Sequence, residues 1–200
     1  MIILASSPII GVAAPPTKSE GQIVESKSQA PQVPPEVTRY LKGQSPEGQQ
    51  FGFLIGDWDV AATRYKEDGS VLFKYEASWN AKYLNEGRMI VDDFKAFTPT
   101  GQAVSSYVTL RTYSETTHRW EMASLSALQP AASAQWYGEL KNGEMLLDAS
   151  GKDPAGSMVK TKIRFFNIAK NSFSWESKIS RDDGKTWIKT ASLLASRGSQ

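Results

Sequence analysis

Apolar and polar residues alternate along most of the chain after Gly56, and this period of two continues nearly to the C-terminus. The clearest stretch runs from Val71 to Tyr83, where every second residue is apolar or aromatic and most residues between them are polar. Successive side chains of a β-strand point to opposite faces, whereas a helix would scatter the same residues around its circumference. The pattern therefore predicts β-strands from residue 57 to residue 196.

The alternation divides this region into ten predicted strands: 57–66, 71–84, 87–97, 103–113, 118–127, 133–140, 144–150, 158–169, 172–181 and 186–196. Residues typical of hairpin turns lie between them, at Asp68-Gly69, Glu86-Gly87, Pro99-Thr100-Gly101, Asn142-Gly143, Asn171-Ser172 and Asp183-Gly184. Short connections join antiparallel neighbours, and an open sheet of ten such strands would expose two long edges. An all-β, antiparallel up-and-down barrel is therefore the expected fold, and a two-sheet sandwich is the alternative.

The N-terminal part of the chain has a different composition. Residues 1–14 are apolar and uncharged, and they end in Val12-Ala13-Ala14 before Pro15, which is typical of the cleavage end of a signal peptide. We expect a signal-peptide remnant and a periplasmic or secreted protein, with a merely apolar tail as the alternative. The stretch is too short to span a bilayer, so no transmembrane segment is expected. Residues 15–35 are rich in proline and are predicted to be a disordered linker.

Two short helical segments are predicted before the first strand. Pro35 suits the first position of a helix over residues 36–42, and Gly43 suits its end. A second helical turn is predicted within residues 46–55, where it would cover the structure that follows. The folded domain is expected to span residues 36–196.

The residues that lead into the first strand carry a family resemblance. Phe51-Gly52-Phe53-Leu54-Ile55-Gly56-Asp57-Trp58 places a Gly-x-Trp motif at the start of that strand, and Trp79 lies late in the second strand. Over about residues 46–196 the chain resembles lipocalin-like barrels of the calycin group, and more particularly a bacterial lipocalin-like family of unknown function. The resemblance implies that Trp58 packs at the closed end of the barrel under Arg197. It also implies binding of a small molecule in the bacterial cell envelope.

Composition excludes several kinds of chemistry. The chain has no cysteine and one histidine, His118, which excludes disulfides, cysteine nucleophiles, iron–sulfur clusters and Cys/His zinc sites. The formal net charge is +2 and no block of like charges occurs, so nucleic acid is not an expected partner. Small calycin barrels that hold haem do so through a histidine nearer the C-terminus, so we expect neither haem at His118 nor another cofactor. No metal site is expected, and nothing in the sequence indicates an oligomeric state.

The segment from Ser180 to Trp187 matches the Asp-box, Ser-x-Asp-x-Gly-x-Thr-Trp, of propeller glycosidases. A propeller would repeat this motif in each blade, but the chain has one copy and no internal period. Asp182 and Ser180 are therefore predicted to bond the turn backbone and to staple a hairpin, with Gly184 at positive φ and Trp187 folded over the turn.

The alternation also nominates residues for the interior of the barrel. Eight of them are candidates for contact with a ligand: Trp79, Tyr83, Asp92, Tyr107, Arg111, Trp120, Trp136 and Trp175. The chain has six tryptophans, which favours a pocket for a flat or extended apolar molecule, with simple core filling as the alternative. The pattern does not decide which row of residues 103–113 faces inward. If the polar row does, Arg111 with Tyr107 would suit a ligand carboxylate.

Three functions remain compatible with the sequence. The expected one is non-catalytic binding of a small apolar or amphipathic molecule. A lumen enzyme of the isomerase, cyclase or hydratase type is the first alternative, with Asp92 or Glu176 as a general acid whose pKa burial would raise. The second is a scaffold with a filled barrel. No nucleophile–base pair, phosphate-binding loop or metal-ligand spacing supports catalysis, so no catalytic residue is assigned.

Overall fold

The computed structural model describes residues 32–35, 37–38, 45–128, 133–153 and 155–198. Within this part of the chain ten antiparallel strands form a closed barrel, in which each strand pairs with its sequence neighbours and the first pairs with the last. The strands are β1 (Gly56–Tyr65), β2 (Val71–Leu84), β3 (Met89–Phe97), β4 (Ala103–Ser114), β5 (Arg119–Ser126), β6 (Ser133–Lys141), β7 (Glu144–Lys152), β8 (Met158–Phe166), β9 (Ser172–Ser180) and β10 (Ile188–Ser196). The predicted barrel is confirmed, and the two-sheet sandwich is excluded because the ladder closes.

Short 3₁₀-helices lead into the barrel. Pro46–Gln49 and Gly52–Leu54 form them where a helical turn was predicted. Of the helix predicted over residues 36–42, the described residues include Val37 and Thr38, which are helical, and the Thr38 amide donates to the Pro34 carbonyl at 2.9 Å. The remainder of that prediction, the signal-peptide remnant and most of the linker lie outside the described residues. No helix in the described ranges is long and apolar enough to cross a membrane.

The strand bounds differ from the predicted ones by a few residues, and turn conformation explains the main differences. β3 begins at Met89 because Asn85 and Glu86 adopt φ of 49° and 57° and form a 3₁₀ turn. β8 ends at Phe166 because Asn167 adopts a left-handed φ of 51°. Asparagine tolerates this conformation better than most residues do. In these two connections the sequence pattern indicated a turn but not the residue at which the strand ends.

Alternation along β1 shows how the sequence produces the barrel wall. Trp58, Val60 and Ala62 are buried, whereas Asp59 and Ala61 between them are exposed on the outer face. The same period of two continues around the sheet, so one row of each strand faces the lumen and the other faces solvent. The N-terminal 3₁₀-helices cross the end at which β1 begins, which we call the closed end. The opposite end, where the β1–β2 hairpin lies, is the open end.

Trp58 anchors the closed end. Its indole Nε1 donates to the Leu54 carbonyl at 2.8 Å, and its ring packs edge-on against Phe173 with the ring centres 4.8 Å apart. The Arg197 guanidinium lies 3.8 Å from the centre of the Trp58 ring and donates to the Ile55 carbonyl at 2.7 Å. This is the Trp–Arg arrangement that the resemblance implied. It ties the last residues after β10 to the segment before β1. We call the β1–β10 junction, where the barrel closes, the seam.

The Asp-box hairpin has the predicted bonds. The Asp182 carboxylate accepts from the Thr186 amide at 2.9 Å, from the Thr186 hydroxyl at 2.6 Å and from the Ser180 hydroxyl at 2.7 Å. The Trp187 indole donates to the Gly184 carbonyl at 3.1 Å, and Gly184 has φ of 93°. These bonds, those from Thr186 first, lower the pKa of Asp182 from 3.8 to about 2. The motif is a hairpin staple.

Replacement of Gly56 by alanine tests the anchored seam. Gly56 has φ of 111°, and an added Cβ would overlap the Arg197 guanidinium. Gly69 also has a positive φ, 81°, but a Cβ there would meet nothing within 4 Å, which makes it a matched control. Gly69→Ala should cost about 1–2 kcal/mol of unfolding free energy through backbone strain alone. Gly56→Ala should cost at least about 2 kcal/mol more, because it displaces a cation–π contact and a hydrogen bond. Equal losses in urea unfolding would contradict this account of the seam.

Acid titration tests the staple. A carboxyl whose folded pKa lies below its unfolded value stabilises the fold above the unfolded pKa, and this contribution is lost as pH falls through the folded pKa. For Asp182 the loss falls between pH 3.8 and about pH 2. Thr186→Val removes the largest cause, so the Asp182 pKa should rise towards 3.8, as followed by carboxyl-carbon NMR shifts. Thr190→Val, whose hydroxyl contacts Ser177 instead, should leave the Asp182 titration unchanged.

Candidate functional site

A cavity of about 690 Å³ occupies the lumen between the closed end and the open end. Its floor includes Trp79 and Phe165, whose ring centres lie 5.7 Å apart. Behind this floor Phe51 packs edge-on against Phe165 and Trp120, with centre distances of 5.8 Å and 4.9 Å. The aromatic side chains therefore fill the closed end and leave the remainder of the lumen open.

The polar groups of the cavity wall concentrate on three adjacent strands, β3, β4 and β5. Six of them lie there: Asp92, Ser105, Tyr107, Thr109, Arg111 and Ser124. Arg64 on β1, Tyr75 on β2 and Ser177 on β9 are polar lining residues outside this group. Most of the remaining wall is apolar, and Trp136, Ile163 and Trp175 contribute to it from β6, β8 and β9. The cavity thus has one polar side and one aromatic and aliphatic side, which suits an amphipathic or mostly apolar molecule.

The polar row of β4 is the one that faces inward. Thr109 and Arg111 are buried in the wall, whereas Val108 and Leu110 between them are exposed on the outer face. The Thr109 and Ser124 hydroxyls lie 2.9 Å apart and bond to each other across β4 and β5. This settles the orientation that the alternation in residues 103–113 left open.

A buried charge pair lies in the polar wall. Asp92 Oδ2 accepts from Arg111 Nε at 2.7 Å and lies 2.7 Å from Arg111 Nη2, with the side chains 2% and 4% exposed. The other carboxylate oxygen accepts from the Trp79 indole at 2.8 Å, and Arg111 Nη1 contacts the Met122 sulfur at 3.1 Å. Both oxygens of Asp92 are thus occupied, and the charge of Arg111 is compensated within the protein. This pairing disfavours both a proton-donating Asp92 and an Arg111 that receives a ligand carboxylate.

Six of the eight candidate ligand contacts line the cavity: Trp79, Asp92, Tyr107, Arg111, Trp136 and Trp175. Tyr83 and Trp120 do not. The Tyr83 hydroxyl donates to Gln49 at 3.0 Å and the Trp120 indole donates to Gln50 at 3.2 Å, so both side chains hold the N-terminal segment at the closed end. Alternation assigned them to the inner face correctly but carries no information on height along the barrel. Contact of the six with a ligand stays a prediction.

Arg64, Phe73 and Tyr75 are among the lining residues near the open end that sequence reasoning did not nominate as ligand contacts. Arg64 stands an even number of positions after Trp58 on β1, so its parity already placed it on the inner face. Arg64 was not nominated because a charged residue next to a turn usually lies in solvent. Phe73 and Tyr75 likewise share the inner parity of Trp79 on β2.

Glu176, the second acid considered for lumen chemistry, lies on the outer face between the lining residues Trp175 and Ser177. Its carboxylate is 3.1 Å from Lys178 Nζ and 3.5 Å from Lys189 Nζ. Burial acts to raise the pKa of Glu176, but the hydrogen bond and charge of Lys178, with the charges of Arg164 and Lys189, outweigh it and lower the pKa. The expectation that Glu176 is a lumen acid with a raised pKa is therefore wrong.

His118 does not line the cavity. It is exposed in the turn before β5, at the closed end, and adopts a left-handed φ of 52°. Over the described ranges no three or more His, Asp or Glu side chains come together in a group that could hold a metal ion.

The buried pair predicts a specific pattern of stabilities. Asp92→Asn leaves the Arg111 charge uncompensated, so it should lower the unfolding free energy by about 3–5 kcal/mol. Replacement of both partners, Asp92→Leu with Arg111→Met, removes both charges and should recover most of this loss. Urea unfolding of the two variants and the parent checks the pattern. A double variant less stable than Asp92→Asn would show that the pair has a different energetic role.

No family model and no curated protein sequence matches the chain. Solved structures match its fold. Rv2717c from M. tuberculosis superposes with a TM-score of 0.55 at 12% identity, over 78% of this chain and 100% of that one. The S-type phycobiliprotein lyase CPES from Guillardia theta superposes with a TM-score of 0.54 at 11% identity, over 80% of this chain and 97% of that one. The chain has the lipocalin-like calycin fold that its sequence resembles, and identities this low show the fold alone.

Proposed function

We propose that this protein binds one small, mostly apolar molecule in the barrel cavity and does not transform it. The observation that carries the proposal is the open lumen of about 690 Å³ above a packed aromatic floor. Pockets for small molecules occupy roughly 300–1,000 Å³ and are mostly apolar with a few placed polar groups. The cavity has this size and this composition.

The wall supports a ligand with a flat or extended apolar body. Trp136 and Trp175 present large aromatic surfaces from β6 and β9, and they are only partly buried although their strands lie in a closed sheet. An apolar molecule that covered these rings would remove their remaining exposed area from water, which stabilises a complex by about 25 cal/mol for each Å². The hydroxyls of Ser105 and Thr109 on β4 offer hydrogen bonds that would orient the molecule.

The enzymatic alternative has less support. Asp92 is the one carboxylate among the described lining residues, and Arg111 and Trp79 occupy both of its oxygens. A general acid must reach the substrate with a carboxyl oxygen, whereas both oxygens of Asp92 are engaged by other side chains of the protein. The geometry therefore favours binding.

Export to the bacterial cell envelope remains part of the proposal. Its support is the apolar segment of residues 1–14 that ends in Val12-Ala13-Ala14. A binding protein in that compartment would meet apolar and amphipathic molecules outside the cytoplasm.

The neutral dye N-phenyl-1-naphthylamine is a suitable probe for the proposed function. Its emission should rise on binding to the protein, and tryptophan emission should be quenched because Trp136 and Trp175 line the cavity. Trp136→Ala should lower the affinity for the dye by roughly tenfold or more, since loss of a buried aromatic contact costs about 1–3 kcal/mol of binding free energy.

Tyr137→Ala is the matched control for this experiment. Tyr137 follows Trp136 on β6 but lies on the outer face, with the Arg119 guanidinium 3.7 Å from its ring centre. Its replacement should leave dye affinity unchanged. Failure of the parent protein to bind the dye, or equal weakening by both variants, would count against binding in the lumen.

A further inference from the structure

Two cationic side chains are among the described residues that line the cavity, and their surroundings differ. Arg111 lies deep in the polar wall and its charge is compensated by Asp92. Arg64 lies at the end of β1 next to the open end and is exposed. No carboxylate in the described part of the chain forms an ion pair with Arg64. The cavity therefore carries one compensated charge at depth and one uncompensated positive charge at its entrance.

The acids nearest to Arg64 along the chain are directed elsewhere. In the β1–β2 turn, Glu67 lies 3.8 Å from Arg181, and Asp68 accepts from the amide and the hydroxyl of Ser70 at 2.8 Å and 2.6 Å. These contacts occupy both acids of the turn. The positive charge of Arg64 thus stays available on the lumen side of the barrel rim.

Two tyrosines accompany Arg64 on the cavity wall. Tyr75 and Tyr107 line the cavity together with Arg64, and Tyr75 lies two positions along β2 from Phe73, the cross-strand partner of Arg64. We call these three side chains the mouth cluster. Burial raises the pKa of Tyr75 more than the neighbouring Arg64 charge lowers it. Tyr75 therefore remains a neutral hydroxyl, able to donate a hydrogen bond, at physiological pH. The mouth cluster combines a guanidinium with phenolic donors, which together suit an oxyanion.

We propose that the ligand is an amphipathic anion, bound with its acid group at the mouth cluster and its apolar body directed towards the floor at Trp79 and Phe165. This inference rests on the proposed binding function and names the chemical class of its ligand. An ionised group is costly to bury without a partner, and Arg111, the deep cation among the described lining residues, already has one. At the mouth, the acid group contacts Arg64 and keeps part of its hydration. A carboxylate, sulfonate or phosphate monoester satisfies this chemistry.

A pair of dyes that differ by one acid group tests the orientation. 1-Anilinonaphthalene-8-sulfonate carries a sulfonate on the ring system of N-phenyl-1-naphthylamine. The quantity measured is the ratio of the two dissociation constants, which cancels changes in apolar contact. Arg64→Gln should reduce the preference for the anionic dye by about tenfold, because a charge-assisted guanidinium contact contributes on that scale. Raised salt should reduce the same preference in the parent protein.

Lys74→Gln provides the matched control. Lys74 lies on β2 next to Phe73, the cross-strand partner of Arg64, but its side chain is on the outer face. The substitution Lys74→Gln removes one positive charge, as Arg64→Gln does. The ratio of the two dissociation constants in Lys74→Gln should stay within about twofold of the parent value, because an exposed charge remote from the site contributes little. If the parent protein binds the neutral dye but the ratio of dissociation constants is the same in Arg64→Gln as in the parent, the inference is overturned and the proposed function stands. A parent that binds neither dye would overturn the proposed function itself. An equal fall of the ratio in Lys74→Gln and Arg64→Gln would assign the preference to general surface charge and also overturn the inference.

Discussion

Closure of ten strands into one barrel is the constraint on which the rest of this structure depends. The diameter of a barrel grows with its number of strands, and about eight strands already enclose a lumen that side chains only just fill. The ten strands here leave more volume than their inner rows can occupy. The chain fills this volume at the closed end of the barrel but not nearer the open end. At the closed end the N-terminal 3₁₀ segment inserts Phe51 and Leu54, both fully buried, among the strand residues. Among the residues that the structure describes, no comparable segment is inserted nearer the open end, and the excess volume remains as the cavity.

The polar wall follows from the same geometry. Strands β3 to β5 turn a row of hydroxyl and charged groups inward, where each must find a partner or keep contact with water. Asp92 and Arg111 compensate each other, and the second Asp92 oxygen fixes the Trp79 indole at the cavity floor. An apolar pair of similar volume would stabilise the fold about as well. What the charged pair supplies in addition is orientation, because it holds one tryptophan ring in a defined position beneath the cavity.

The sequence predicted the fold more completely than the site, and the reason is the kind of information that alternation carries. A period of two identifies strands and sorts residues between two faces, which was enough for the ten strands and for the inner position of Trp136. The alternation does not indicate the position of a residue along the barrel axis, so Tyr83 and Trp120 at the closed end could not be distinguished from the residues that line the cavity. It was also ambiguous on β4, where Val108 and Leu110 form an apolar row that lies exposed outside. Arg64 has the inner parity, but only the closed barrel shows that it stands at the entrance.

Access to the cavity leads through the open end, because Trp58 and Arg197 seal the other end against the N-terminal segment. The residues met first on this route are mixed. Phe73 and Val104 are about half exposed and line the cavity, and Arg64 lies beside Phe73 across the β1–β2 ladder. An apolar group gains by moving past them to the aromatic walls, whereas an ionised group loses hydration with each step inward. For a molecule of the class proposed above, burial favours the apolar end at the aromatic walls, and the Arg64 charge favours the acid group at the mouth.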